Sequence, residues 1–113
     1  MNRCFILDYQ QFQRLVSESV ESSLSILGEN AKQAIIVHFM KNYYLKSFEE
    51  VSDHAKEFET FLGELFGYGS NILMRAIITK MFSKIDMEVS ESDMKFETAV
   101  QEIKKMTISK QST

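Results

Sequence analysis

The 113-residue sequence contains no proline, no tryptophan, one cysteine and four glycines. Without proline the commonest helix breaker is gone. The lone Cys4 excludes an internal disulfide and fits a reducing cytoplasm better than secretion. The opening residues, Met1 to Asp8, hold too short an apolar stretch for a signal peptide. No run approaches the ~20 apolar residues of a membrane span. The longest apolar stretch, around Ile35-Ile36-Val37, soon meets His38 and Lys41. A strongly basic balance is lacking too: the net charge is −3, which argues against a general nucleic-acid binder.

What is present suits a folded helical domain. Apolar residues make up 44 % of the chain, and nine Phe, four Tyr and seven Met supply core volume. The length fits a single domain, 1–113, able to bury roughly two-thirds of its unfolded surface. Charge is unevenly spread. Between 47 and 69 six acids (Glu49, Glu50, Asp53, Glu57, Glu59, Glu64) face Lys56 alone. Between 70 and 85 there are Arg75, Lys80 and Lys84 and no acid. Such a succession predicts two neighbouring helices of complementary charge, or a partner surface.

Hydrophobic spacing predicts five helices. The first runs over 9–27, with Phe12, Leu15, Val16, Val20, Leu24 and Leu27 on one face and Gln13, Arg14, Ser17, Glu18, Glu21 and Ser22 on the other. Asp8 with Gln11 reads as its capping box, and Gly28 as its stop. The second, 31–45, is apolar nearly all round and is expected to be central and buried, with Asn30 and Gln33 as its cap. Its Ile35-Ile36-Val37 run also admits a buried strand, but its length favours helix. Ser47-Phe48-Glu49-Glu50 is a capping box before a third helix, with Asp53 as a second cap candidate. That helix carries Ala55, Phe58, Phe61, Leu62, Leu65 and Phe66, and its Gly63 is expected where another backbone comes close. Phe66-Gly67-Tyr68-Gly69-Ser70 is the sharpest break, with Ser70 capping a fourth helix. The fourth helix buries Ile72, Leu73, Ala76, Ile77, Met81, Phe82 and Ile85. A fifth opens at Ser90-Glu91-Ser92-Asp93 and buries Phe96, Val100, Ile103 and Met106. The end, 109–113, reads as a flexible tail. The expected fold is an all-α bundle of about five helices with short connections.

Chemical motifs are scarce. No Gly-x-Ser-x-Gly, P-loop or Cys-x-x-Cys occurs. Gly67-Tyr68-Gly69 lacks the third glycine of a dinucleotide fingerprint and follows a helix, so Gly28, Gly67 and Gly69 read as structural turns. Glu50, His54 and Glu57 are the candidate metal ligands, set against a solvated acidic helix start. His38 reads as a hydrogen-bonded histidine at a core edge. No acid, base and nucleophile converge at a motif spacing, so no catalytic residue and no cofactor are expected and the chain does not read as an enzyme.

Interaction residues are easier to nominate. Phe12, Val16 and Val20 make the first helix the natural element for a homodimer. Arg75, Lys80 and Lys84 form a basic patch on the fourth. The many aromatics also suggest a small-ligand sensor with an aromatic pocket between the second, third and fourth helices. A nucleic-acid-binding regulator using the fourth helix is the other alternative.

Leu27-Gly28-Glu29, Ala34-Ile35, Leu65-Phe66-Gly67-Tyr68-Gly69 and Ile77 resemble a small archaeal family, the thaumarchaeal output domain, over roughly 23–86. The resemblance implies an α-helical signalling output domain without established catalytic residues. The expected function is therefore a non-enzymatic, cytoplasmic interaction or regulatory module, working through protein–protein contacts with no membrane contact.

Overall fold

The structure, a computed structural model, describes residues 7–87 and 94–107. Among these residues five α-helices follow in order: α1 (Tyr9–Leu24), α2 (Glu29–Asn42), α3 (Ala55–Phe66), α4 (Ser70–Ser83) and α5 (Phe96–Lys104). Three 3-10 segments, Ser25–Leu27, Phe48–Asp53 and Gly67–Gly69, join them. The radius of gyration, 14.0 Å, is near the ~13 Å of a compact chain of this length. Leu7 and Thr107 form a single parallel β-bridge. No helix among the described residues is long and apolar enough to cross a membrane.

Helix α1 starts where its cap predicts. The Asp8 carboxylate accepts from the Gln11 N–H at 2.8 Å, and the Gln11 side chain accepts from the Asp8 N–H at 3.0 Å. Phe12, Leu15, Val16, Val20 and Leu24 are buried as the spacing requires. Yet Ser17, Ser19 and Ser23 are buried as well, although Ser17 was expected on the solvent side. Serine tolerates this because its hydroxyl can return to the preceding turn. Ser19 Oγ donates to the Leu15 carbonyl at 2.7 Å, and Ser17 Oγ to that of Arg14 at 3.3 Å. Helix α1 is thus covered on more than one side, chiefly by Phe48–Asp53 and α4.

Helix α2 takes the opposite role. It buries Ile35, Ile36 and Phe39, while Val37 is 49 % exposed and Ala34 and His38 also face outward. The expected central helix is a peripheral one. Its apolar composition reports volume and not direction, and only one stripe meets the core. Its start differs too. Gly28, at φ 102° and ψ 153°, is the residue before the helix, so Asn30 and Gln33 lie inside it. Gln33 and Lys32 instead hold Glu29, at 3.2 and 3.3 Å. Those two contacts, the amide's first, keep the Glu29 carboxyl below its ordinary range.

The core is continuous through all five helices. Phe58 sits amid an aromatic cluster, 5.0 Å edge-on from Phe39, 5.8 Å from Phe96 and 6.1 Å from Phe48 between ring centres. Helices α2 and α3 run antiparallel, since Tyr43 meets His54 while Phe39 meets Phe61.

Three further expectations are corrected. Ser47 makes no side-chain cap; the Glu50 carboxylate accepts from the Lys46 N–H at 3.1 Å instead. Ser70 does not cap α4 either, because Gly67–Gly69 already winds as a 3-10 turn and Ser70 Oγ donates to the Gly67 carbonyl at 2.9 Å. Among the described residues nothing beyond its own stretch of helix lies within 4 Å of where a Gly63 side chain would begin, so no neighbouring backbone approaches it closely. The expected start of the fifth helix at Ser90–Asp93 and the tail at 109–113 lie outside the described residues.

Candidate functional site

The residues nominated for interaction separate into two sets. Phe12, Val16 and Val20 are completely buried in the core of the same chain. In this fold they offer no exposed surface to a second copy of the chain. Arg75 and Lys80 do lie on the surface, on the outer face of α4. Lys84 reaches the Glu18 carboxylate on α1 at 3.7 Å. Its partner is therefore α1, not the acidic third helix, although the two helices are adjacent in sequence.

The metal candidates do not converge. His54 Nδ1 lies 3.1 Å from the Glu50 carbonyl oxygen, which can only accept, so Nδ1 carries the proton. The Glu50 carboxylate turns to Lys46. Among the described residues no three His, Cys, Asp or Glu side chains are grouped to hold a metal ion. His38 is exposed, and its ring stacks on the buried Phe61 at 5.8 Å, at the edge of the core.

The aromatics expected to line a pocket between α2, α3 and α4 fill that space with one another. Phe39, Phe58 and Phe61 are all within 5 % of full burial, in mutual ring contact.

The turn glycines behave unequally. Gly28 (φ 102°) and Gly67 (φ 58°) hold conformations that side chains disfavour. Gly69, at φ −64°, does not.

Sequence spacing missed the surface around the α3–α4 corner. Leu65 (50 % exposed), Phe66 (37 %), Tyr68 (94 %) and Ile72 (75 %) place four large apolar side chains outward within eight residues. Leu65, Phe66 and Ile72 were expected in core stripes. Helix α3 ends at Phe66 and the chain turns at Gly67, and its last apolar turn is only partly covered. On α4 the buried stripe includes Met74 and Ile78, which rotates Ile72 outward. One signal for this was available. Arg75 and Lys80 bracket the face that contains Ile72 and Ala76, and two flanking cations mark a solvent side.

From Ile72 the exposed face continues along α4 as a shallow groove of about 480 Å³ lined by Ile72, Arg75, Ala76, Thr79, Lys80 and Ser83.

No family model, curated protein or solved structure matches the chain. The resemblance to the archaeal output-domain family rests on the sequence alone, at Leu27-Gly28-Glu29, Ala34-Ile35, Leu65-Phe66-Gly67-Tyr68-Gly69 and Ile77.

Proposed function

We propose that the chain is a non-enzymatic helical interaction module that recognises a protein partner through the α3–α4 corner, in a signal-output or regulatory setting. One observation carries this reading: Leu65, Phe66, Tyr68 and Ile72 are all exposed on one short stretch of chain. Scattered exposed apolar residues are ordinary, whereas a cluster of them marks a contact surface. Tyrosine at the tip suits such a surface, since its ring buries large apolar area and its hydroxyl stays satisfied at a wet rim.

Photo-crosslinking from position 68 tests the reading. A photoreactive phenylalanine replaces Tyr68 in the full chain, expressed in its source cells, and adducts are identified by mass spectrometry. The expected result is a discrete adduct with another protein, absent when the same group replaces Gln101, exposed on α5. An adduct with a second copy of the chain would redirect the reading to self-association. Equal, diffuse labelling from both positions would sink it.

A further inference from the structure

We propose that the outer face of α2 is a self-complementary surface on which a second copy of this chain docks antiparallel, about a two-fold axis between Ala34 and Val37. It is a different element from the α3–α4 corner, so the two surfaces serve separate contacts. Asn30, Ala34, Val37 and Lys41 are all exposed. On a helix advancing about 100° per residue they fall within about 60° of one another. They lie on the side away from Ile35, Ile36 and Phe39, which face the core. Their spacing of four, three and four residues reads the same in both directions. That is the seam spacing of a paired helix.

Symmetry decides the occupant. A two-fold contact pairs residue i with residue j and j with i. Antiparallel pairing about the midpoint sets Ala34 of one copy level with Val37 of the other, a small side chain against a branched one. It sets Asn30 of one level with Lys41 of the other. The Lys41 ammonium then donates to the Asn30 amide oxygen. Among the described residues no carboxylate already holds Lys41. A parallel pair would set Lys41 against Lys41, and like charges so placed are costly. Polar residues in a seam fix register and orientation in this way. A membrane surface fits less well, because Asn30 and Lys41 stand within the strip.

The two ends of the helix add apolar area. The turn Ser25–Leu27 before α2 buries no residue, and its Ile26 is 75 % exposed. Tyr44, just past the other end, is 91 % exposed and sits at φ 56°. Glycine is the usual residue where a helix ends in that conformation, which a bulky side chain disfavours. Among the described residues the Tyr44 side chain has no ring contact and no hydrogen bond to offset this. Antiparallel docking brings the Ile26–Leu27 turn of one copy to the Tyr44 end of the other. Ile26, Leu27, Val37 and Tyr44 then supply roughly 400 Å² of apolar surface per copy. A standard interface buries about 800 Å² per partner, a little over half of it apolar. The face therefore comes close to what a reversible dimer needs.

Sedimentation equilibrium of the full chain, from about 1 μM to about 500 μM, tests this. The expected result is a monomer–dimer equilibrium whose dissociation constant rises about tenfold or more in Val37→Glu and in Tyr44→Gly. Tyr44→Gly separates the two roles of the position. It relieves the backbone, so dilute circular dichroism melts should show a fold at least as stable while the dimer weakens. Register is read by cross-linking in a Cys4→Ser background. Ala34→Cys chains mixed with Val37→Cys chains are expected to form a disulfide-linked pair in preference to either variant alone. A chain that sediments as a monomer throughout would overturn the proposal. So would a dimer that neither variant weakens, or equal cross-linking in all three samples. A protein adduct from position 68 beside a monomeric chain would remove this inference and leave the partner reading in place. Diffuse labelling from position 68 beside a dimer that both variants weaken would do the reverse.

Discussion

The Tyr9 hydroxyl donates a hydrogen bond to the Asp53 carboxylate, linking the first turn of α1 to the last residue of the 48–53 segment across 44 positions of sequence. Burial of the phenol, and then the acceptor carboxylate, push the Tyr9 pKa up to about 12. A hydrogen bond to a charged group contributes about 1.5–3 kcal/mol. Tyr9 is 37 % exposed, and solvent screening reduces that to about 1 kcal/mol. Tyr9→Phe is expected to lose about that much in urea unfolding. Identical unfolding curves would show that the bond contributes nothing.

The same bond sets a pH dependence. A group whose pKa is raised on folding stabilises fully below its unfolded value and loses that contribution as pH rises through its folded value. For Tyr9 the loss falls between the ordinary tyrosine value of about 10 and about 12. The stability difference between the native chain and Tyr9→Phe should be flat up to about pH 10 and then shrink. Other titrating groups are common to both proteins and cancel. A difference that stays constant to pH 12 would mean that Tyr9 does not titrate as the bond requires.

Gly63 and Gly28 should respond in opposite directions. A methyl group on Gly63 meets open space in the middle of a helix. Gly63→Ala is therefore expected to stabilise by about 0.5–1 kcal/mol, through helix propensity and a less flexible unfolded chain. Gly28 also has space, but its φ of 102° strains any side chain. Gly28→Ala is expected to cost about 1 kcal/mol or more. Thermal melts of the two variants check both signs at once.

What could be read beforehand follows from how local each signal is. The Asp8–Gln11 cap spans three residues, and the positive φ of Gly28 lies at the expected stop of the first helix. Both features are written in neighbouring residues. The places of α1 and α2 in the bundle were not. Ser17 looks polar in sequence but returns its hydroxyl to Arg14, whereas Val37 looks apolar and faces out. Composition says how much can be buried, while the partner elements decide which side is. The same holds at the corner. Ile72 fits the spacing of a core stripe, and only the rotation fixed by Met74 and Ile78 turns it outward. The Tyr9–Asp53 link had no sequence signal, because it depends on where two separate elements meet.

The buried serines of α1 offer a paired comparison. Ser23 Oγ is buried without a hydrogen-bond partner among the described residues, whereas Ser19 Oγ donates to the Leu15 carbonyl. Ser23→Ala removes an unsatisfied hydroxyl and adds helix propensity, so a gain of up to about 1 kcal/mol is expected. Ser19→Ala gives up a made bond, and its gain should be smaller or absent. Equal shifts in the denaturation midpoint would place a partner at Ser23 that the protein atoms do not supply.

Phe12 tests where the face of α1 points. As an interface residue it would, on truncation, weaken association and leave the monomer folded. As a fully buried core residue it should instead cost about 3–5 kcal/mol of folding stability when cut to alanine. The two cases separate by concentration. Unfolding of a linked dimer shifts with protein concentration, and unfolding of a monomer core does not. Phe12→Ala is expected to lower the midpoint by the same amount at micromolar and at tenfold higher protein. A loss confined to the dilute sample would return Phe12, Val16 and Val20 to an interface.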